Sequence, residues 1–376
     1  MMAKIIAPRL FQKIAQLNWG IIFLVCLISA IGWGLLISAG GGDVHLWAFK
    51  QMLRFGVGLG IMFVIALTDL RWWLRFSYAF YGVAFLLLCA VEVMGFIGMG
   101  AQRWIDLYVL QLQPSELMKI ALIMALARYF HSQSQPISFP KLIPPLLLVL
   151  MPTLLVCKQP DLGTAMVLLM SGGALFFLAG VSLWAFGAAL VVAGASIPLL
   201  WTFLHDYQKQ RIFMFFDPSQ DAHKAGYHIT QSKIALGSGG FWGKGYMKGT
   251  QAYLNFVPEK QTDFIFTLLC EEWGFLGGSV LIFLYTILIL LCSRVALTTQ
   301  NDFGRYVASG ITMTFFLYMF INIAMVMGLL PVVGIPLPLV SYGGTAMLTL
   351  LMGFGFILNV GLHQTLKVPR LSIGIL

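Results

Sequence analysis

A carboxylate stands at the junction between a polar stretch and an apolar one. Asp263 closes the polar stretch 205–263 and is followed at once by the apolar run FIF. A charge at the boundary between water and hydrocarbon is expensive unless it has a partner or a function. Asp263 therefore either complements the N-terminal dipole of the following helix, with Thr262 as its cap, or takes part in chemistry.

Two similar phrases place further charged residues at predicted helix starts. QPSELMK holds Glu116 and Lys119, which are three residues apart and so share a helical face, and KQPDLGT holds Asp161. Glu116 and Lys119 form either a structural ion pair or part of a polar cavity, and Asp161 either complements a helix dipole or belongs to the same cavity. Because helix N-termini attract anions, convergence of these starts would create a site for a phosphate-bearing ligand.

A glycine-rich loop lies within the polar stretch. The sequence GSGGFWGKGYMKG, residues 237–249, holds Lys244 and Lys248, which can meet phosphate charge while the glycines let backbone N–H groups approach a ligand. The alternative is a hinge. The GxxxxGK[ST] spacing of a nucleotide-binding loop is missing, so no nucleotide is expected. Further along, Glu271 and Glu272 would lie about 12 Å deeper in a regular helix, where carboxylates are paired, protonated or functional.

The composition is that of a polytopic, all-α membrane protein. Apolar residues make up 59% of the 376 residues, charged residues make up 10%, and the mean hydropathy is +0.88. Ten apolar stretches approach the roughly 20 residues that a membrane-spanning helix needs. The predicted spans are 19–38, 48–68, 74–93, 115–129, 142–156, 162–180, 183–204, 264–294, 304–330 and 344–366. Residues 1–376 are thus predicted to form a single membrane domain with one large loop, 205–263, between the seventh and eighth helices.

Lysine and arginine predict the orientation. With the N-terminus inside, the short inside segments hold eleven Lys and Arg residues and the short outside loops hold three. This asymmetry predicts that both termini are cytoplasmic and that the large loop is extracytoplasmic. It also explains the net charge of +9 without a nucleic acid partner. The five cysteines lie in or beside apolar spans without a Cys-x-x-Cys pair, which argues against a disulfide framework or a zinc site.

Several connecting segments carry predictions of their own. Residues 1–18 are typical either of a short helix on the inner leaflet or of an ordinary basic flank. Residues 206–216 favour an interfacial helix or turn, and residues 226–236 favour a second helix. The proline- and glycine-rich stretch 331–344 forbids a regular helix and predicts a re-entrant segment near the outer site. Arg54, just inside the second span, is interpreted as a snorkelling side chain.

Together these motifs resemble the SEDS family of membrane proteins (shape, elongation, division and sporulation). The matching phrases are GAQRWIDL, QPSELMK, QPDLGTA, GYHITQSKIALGSGG with GKG, VPEKQTDFIF, EEWG and LPVVGIPLPLVSYGG, in family order over nearly the whole chain. The resemblance implies a ten-helix glycosyltransferase that polymerises lipid II into peptidoglycan outside the bacterial cytoplasmic (inner) membrane, during cell elongation and rod-shape maintenance. It also implies that a class B penicillin-binding protein and the elongation machinery are its partners.

The resemblance assigns roles to individual residues. The family's essential aspartate falls on Asp263 through the TDFIF context, and its polar cavity residues fall on Glu116, Lys119 and Asp161. Relatives commonly have His before TDF, where this chain has Gln261. If that His handles protons in relatives, this chain must do without it.

The implied substrate predicts an inverting displacement. Lipid II carries its own leaving group, undecaprenyl pyrophosphate, so the reaction needs a base for the acceptor's 4-hydroxyl and positive charge for the departing pyrophosphate. We expect Asp263 to be the base. Lys119, Lys244, Lys248 and the helix N-termini are the candidates for binding the pyrophosphate.

A divalent cation and two other functions are also compatible with these residues. Mg²⁺ or Mn²⁺ would bridge phosphate oxygens to Glu116 or Asp161, since Mg²⁺ typically takes one or two carboxylates together with substrate phosphates. A lipid II flippase would use the same polar cavity but would need access to it from the cytoplasm. A non-enzymatic scaffold would tolerate the loss of any single outer carboxylate.

Overall fold

The computed structural model of the protein describes residues 10–367, except 95, 99–100, 107–110, 134–136, 204–208, 210–224, 255 and 257–258. Its α-helices, in chain order, are α1 Leu10–Ala15, α2 Trp19–Ala39, α3 Ala48–Leu67, α4 Leu70–Met94, α5 Pro114–Ser132, α6 Ile143–Lys158, α7 Leu162–Leu178, α8 Leu183–Phe203, α9 Ala225–Ser238, α10 Thr250–Tyr253, α11 Ile265–Thr298, α12 Asp302–Val326 and α13 Gly344–Leu362. A 3₁₀ helix, Phe139–Leu142, precedes α6.

Each of the ten predicted spans coincides with a helix, from α2 to α8 and from α11 to α13. Within the described residues, seven helical segments are long and apolar enough to cross a membrane: α2, α3, α4, α6 with its 3₁₀ turn, α11, α12 and α13. Two further helices, α7 and the part of α8 from Leu183 to Pro198, are apolar but shorter. The chain is therefore a helical, multi-pass membrane protein.

The helix α5 lies at the centre of the bundle. Every position from 114 to 127 except Leu117 is buried, and the helix packs against α4, α7 and α12. A helix that is buried on all sides is enclosed by protein rather than by lipid. The helix α8 shows the opposite pattern, since most of its described side chains are exposed. The central position of α5 carries Glu116 and Lys119 into the protein interior.

A small antiparallel sheet between α4 and α5 departs from the predicted all-α class. Its strands are β1 Phe96–Gly98, β2 Ala101–Asp106 and β3 Gln111–Leu112, in the order β1-β2-β3. Arg103 on β2 donates a hydrogen bond to the carbonyl of Gln159 at 3.3 Å and a second one to the carbonyl of Pro160. The sheet is thereby tied to the turn that precedes α7.

The helix α11 is interrupted at Gly274, where φ is 66° and ψ is −162°. The sequence predicts a regular helix here, but the glycine loop, residues 237–249, inserts its backbone at the break. Four backbone–backbone hydrogen bonds join the two segments: Lys244 N to Glu271 O (3.0 Å), Gly245 N to Glu272 O (3.0 Å), Phe275 N to Gly240 O (2.9 Å) and Leu276 N to Phe241 O (3.1 Å). The loop therefore satisfies the backbone groups that the kink releases.

The proline segment, residues 331–343, is irregular and packed against protein, as predicted. Its residues Ile335, Leu337 and Val340 are buried. The described helix Ala225–Ser238 confirms the second predicted loop helix, and α1 is a short helix with no buried residue. The predicted interfacial element 206–216 lies outside the described residues, apart from Lys209, and so does the start of the basic N-terminal stretch.

Candidate functional site

Glu116 lies at the meeting point of three helices. Its Oε1 accepts hydrogen bonds from Lys119 Nζ at 2.6 Å and from the Tyr318 hydroxyl at 3.0 Å, and its Oε2 accepts one from Thr349 Oγ1 at 3.2 Å. α5 supplies the ion pair, α12 the tyrosine and α13 the threonine. A buried carboxylate needs this many donors to offset the loss of its hydration. The predicted ion pair is thus present, and it is built into a network that joins three helices.

Lys119 is only 3% exposed, and two neighbouring groups stabilise its charge. Besides the Glu116 carboxylate, its Nζ lies 4.3 Å from the centroid of the Tyr318 ring, in cation–π geometry. These three residues and Thr349 line a cavity of about 40 Å³, which has room for water. The role of Lys119 in substrate binding stays a prediction.

Asp161 caps the N-terminus of α7. Its Oδ1 accepts the backbone N–H of Thr164 at 3.1 Å, and its Oδ2 accepts the Thr164 hydroxyl at 2.9 Å. Gln113, the N-cap residue of α5, donates its side-chain amide to Asp161 Oδ2 at 3.3 Å. The predicted dipole partner is therefore also the link between two helix starts.

Asp263 is half-buried and lies one residue before the N-cap of α11, Phe264. The predicted cap Thr262 is wrong, because its hydroxyl bonds to Glu259 instead, at 3.1 Å to the carboxylate. The carbonyl of Asp263 accepts a hydrogen bond from the Asn322 amide at 2.9 Å. The Asp263 carboxylate faces the proline segment, since a Cβ built on Gly334 would lie 3.7 Å from its Oδ2.

The sequence predicts only that several helix N-termini lie on the same side of the membrane. In the fold, these N-termini converge. Tyr318, which binds Glu116, and Asn322, which binds the backbone of Asp263, are four residues apart on α12 and so about 6 Å apart along it. Gly163 on α7 packs against the proline segment, where an added Cβ would lie 2.6 Å from the carbonyl oxygen of Val333. We call the resulting group the helix-end cluster: Glu116, Lys119, Asp161, Asp263, Tyr318 and Thr349.

Lys244 forms a second ion pair, with the buried Glu271, away from this cluster. Its Nζ lies 2.7 Å from Oε1 of Glu271, whose side chain is fully buried while that of Lys244 is 25% exposed. The same carboxylate oxygen accepts the Thr250 hydroxyl at 3.2 Å and the Gln251 N–H at 2.9 Å. Glu271 is therefore paired, one of the outcomes expected for it. Substrate binding by Lys244 and by the exposed Lys248 stays a prediction.

Among the described residues between α8 and α11, Lys260 and Tyr246 have shifted pKa values. Burial lowers the pKa of the Lys260 amine, three residues before Asp263. Burial, assisted by the charge of Glu272, raises the pKa of the Tyr246 phenol, whose hydroxyl donates to the carbonyl of Gly34 at 2.9 Å. The glycine loop thus reaches across to α2.

Sequence reasoning missed the polar residues of the last two predicted spans. Tyr318 and Asn322 lie on α12, and Thr345 and Thr349 lie on α13, each pair four residues apart on one face of an apolar helix. That spacing is a signal, because isolated polar residues on one face of a membrane helix turn towards protein.

Among the described residues, no group of three or more His, Cys, Asp or Glu side chains is arranged to hold a metal ion. Glu116 and Asp161 accept hydrogen bonds on both carboxylate oxygens. A divalent cation that takes one of these carboxylates together with substrate phosphates stays a prediction.

Most of this chain aligns with known proteins. Residues 10–366 match the family model FTSW_RODA_SPOVE, described as cell cycle protein. The peptidoglycan glycosyltransferase MrdB of Escherichia coli K12 is 44% identical over 344 residues, covering 91% of this chain and 93% of MrdB.

Two solved structures share the fold. One, from work on the structural coordination of polymerization and crosslinking by a peptidoglycan synthase complex, aligns with a TM-score of 0.82 and 31% identity, covering 93% of this chain and 98% of the other. The rod shape determining protein RodA of Thermus thermophilus aligns with a TM-score of 0.71 and 28% identity, covering 93% and 97%.

The fold and the helix-end cluster define a polytopic membrane protein with a polar site at converging helix ends. The chain belongs to the FtsW, RodA and SpoVE family, which is the SEDS family that the sequence motifs resemble.

Proposed function

We propose that the protein is a peptidoglycan glycosyltransferase that polymerises lipid II into β-1,4-linked glycan strands during cell elongation. The proposal rests on the convergence of helix N-termini around Asp263, in a chain that is 44% identical to a peptidoglycan glycosyltransferase over 91% of its length. Such a site combines a half-buried carboxylate with helix dipoles that favour a phosphate-bearing substrate.

Asp263 acts as the general base in this proposal. It takes the proton from the 4-hydroxyl of the acceptor sugar, whose oxygen attacks the anomeric carbon of the donor while the undecaprenyl pyrophosphate leaves with the bonding electrons. A single displacement inverts the α-linked donor into a β-linked product, so no covalent sugar–enzyme carboxylate is needed. The Asn322 amide holds the backbone of Asp263, and the proline segment lies next to its carboxylate.

The ten predicted spans support a topology with both termini in the cytoplasm and the helix-end cluster on the extracytoplasmic side of the bacterial inner membrane. The large loop 205–263 and membrane crossing by α5, α7 and α8 belong to this proposal. A class B penicillin-binding protein and the elongation machinery are the proposed partners, in keeping with a structural relative that belongs to a peptidoglycan synthase complex.

The decisive experiment is polymerisation of lipid II by the purified full-length chain, with and without its synthase partner. Asp263→Asn is expected to lower the rate by roughly 10²–10⁴-fold, as is usual for the loss of a general base. Asp43→Asn is the matched control, because Asp43 is an exposed carboxylate in the predicted loop after α2.

Full-length glycan chains made by Asp263→Asn at the wild-type rate would refute the assignment of the base. Translocation of lipid II across vesicles without polymerisation would favour a flippase. Cell-wall synthesis that depends on the chain but survives Asp263→Asn would favour a scaffold.

A further inference from the structure

Arg54 has an unused donor at the start of α13. Its guanidinium lies over the Tyr342 ring, 4.8 Å from the centroid. It also packs on Gly344, the first residue of α13, since a Cβ built there would lie 3.6 Å from Arg54 Cζ. Its Nη1 is buried without a hydrogen-bond partner among the described residues. A snorkelling arginine would instead present this atom to water.

The first turn of α13 adds further unused donors beside Arg54. Gly343 is the N-cap and offers no side-chain cap, so the N–H groups of the first turn point out of the helix without an intrahelical acceptor. Thr345 is 1% exposed, and its hydroxyl has no hydrogen-bond partner among the described residues. Thr345 shares a helical face with Thr349, which donates to Glu116, so this hydroxyl faces the helix-end cluster.

Hydrogen bonds to backbone carbonyls bring this turn next to Asp263. Tyr342 N donates to the carbonyl of Gln261 at 2.8 Å, and Ser341 Oγ donates to the carbonyl of Thr262 at 2.5 Å. From the other side, Gln51 on α3 donates its amide to the Ser341 carbonyl at 3.0 Å. Arg54 lies one turn after Gln51, so the same docking that fixes Asp263 also fixes the arginine.

The charge of Arg54 is not neutralised by a described carboxylate, whereas the charges of two lysines predicted to bind phosphate are. Lys119 is paired with Glu116 at 2.6 Å, and Lys244 is paired with Glu271 at 2.7 Å. Among the described residues, Arg54 has no carboxylate within ion-pair distance. A planar guanidinium with two parallel N–H groups matches the geometry of phosphate oxygens.

We propose that Arg54, the Thr345 hydroxyl and the N-terminal turn of α13 bind the diphosphate of the lipid-linked sugar donor. This inference rests on the proposed function and names the cation that receives the leaving group. As the donor's bond from the anomeric carbon to the diphosphate oxygen breaks, that oxygen keeps the electron pair. Arg54 and the helix end stabilise the added negative charge, while the acceptor's proton goes to Asp263.

The test compares Arg54→Gln and Arg54→Lys with wild type in the full-length protein. Equilibrium binding of radiolabelled farnesyl diphosphate to the purified protein in detergent measures the site without relying on turnover. Arg54→Gln is expected to weaken this binding roughly 10- to 100-fold, as for the loss of a charged hydrogen bond, and Arg54→Lys is expected to restore part of it. Lys158→Gln is the matched control, since it removes an exposed positive charge from the same predicted face.

Competition by inorganic pyrophosphate and by phosphatidylglycerol vesicles identifies the source of the anion. Displacement by farnesyl diphosphate at far lower concentration than by inorganic pyrophosphate supports a lipid-linked diphosphate. Equal affinity of Arg54→Gln and wild type for farnesyl diphosphate overturns the proposal, as does an effect confined to phosphatidylglycerol. Binding that depends on Arg54 in a protein that does not polymerise lipid II would refute the proposed function but leave this site standing.

Discussion

Among the described residues, Glu116–Lys119 and Glu271–Lys244 are ion pairs of a buried carboxylate that are alike in distance but differ in how they are built. Glu116 and Lys119 are three residues apart on one helix, and both side chains are less than 10% exposed. Glu271 and Lys244 are 27 residues apart, and they join a helix to a loop. The first pair therefore survives any movement of the loop, whereas the second pair exists only while the loop is docked.

The additional hydrogen-bond donors of the two carboxylates support the same distinction. Tyr318 and Thr349, which come from two membrane helices, complete the coordination of Glu116. Thr250 and Gln251, which belong to the short helix after the glycine loop, complete that of Glu271. A carboxylate held by helices is preorganised, and one held by a loop reports the position of the loop. We infer that the Glu116–Lys119 pair is a fixed part of the helix-end cluster. The Glu271–Lys244 pair instead fastens the glycine loop to α11, and we call this pair the clasp.

The largest effect is expected from Lys119→Met, because it leaves Glu116 buried without its cation. Removing one partner of a buried pair typically costs about 3–5 kcal/mol. Lys244→Met is expected to cost less, about 1.5–3 kcal/mol, since Lys244 is partly exposed and Glu271 keeps two other donors. Thermal unfolding in detergent, followed by a dye that reacts with the buried thiols of Cys270 and Cys292, measures both.

Lys158→Met is the control for that comparison, because Lys158 pairs with Glu92 but is 72% exposed. We expect its unfolding temperature to match that of wild type. If Lys244→Met proved as destabilising as Lys119→Met, the two pairs would be equivalent and the distinction between cluster and clasp would be lost.

A smaller effect, confined to the clasp, is expected from Gly239→Ala. A Cβ at Gly239 would lie 2.0 Å from the carbonyl oxygen of Cys270, which is backbone and cannot turn away. We expect a cost of about 1–3 kcal/mol, as for overpacking, and partial release of the loop from α11. Limited trypsin digestion should then cut faster after Lys244 and Lys248.

Gly237→Ala provides the matched control two residues earlier, because a Cβ there meets nothing within 4 Å. Its trypsin cleavage should follow the wild-type rate. Equal protection of the loop in the two variants would show that the glycine loop is not docked as described.

The sequence predicts the helices well because hydrophobic length alone specifies them. Each predicted span has a counterpart, and α5 begins at Pro114, one residue before its predicted start. The kink of α11 was missed because Gly274 becomes non-helical only when the glycine loop supplies partners for the released backbone groups. The small sheet was missed because its strands are short and because Arg103 on β2 bonds to the turn at Pro160, which is remote in the sequence.

The candidate site shows the same limit. Asp263, Glu116 and Asp161 were singled out by being charged next to apolar runs, a local property. Their convergence depends on Asn322 and on Tyr318, which look like ordinary residues of a membrane helix until α12 is placed beside α5 and α11. Arg54 was interpreted from its position alone, and only packing reveals its unused donor.

The smallest effect, and the finest test of preorganisation, is expected from Tyr318→Phe. The substitution removes one donor from Glu116 but keeps the aromatic ring against Lys119. We expect a loss of about 0.5–1.5 kcal/mol, because Glu116 retains Lys119 and Thr349. The double variant with Thr349→Val should cost more than the sum of the two single changes. In each single variant the other donor still binds Glu116, whereas the double variant lacks both. Thr250→Val, which removes one donor from Glu271, should be additive with Tyr318→Phe. Additivity between Tyr318→Phe and Thr349→Val as well would mean that the donors of Glu116 act independently and that the cluster is no more rigid than the clasp.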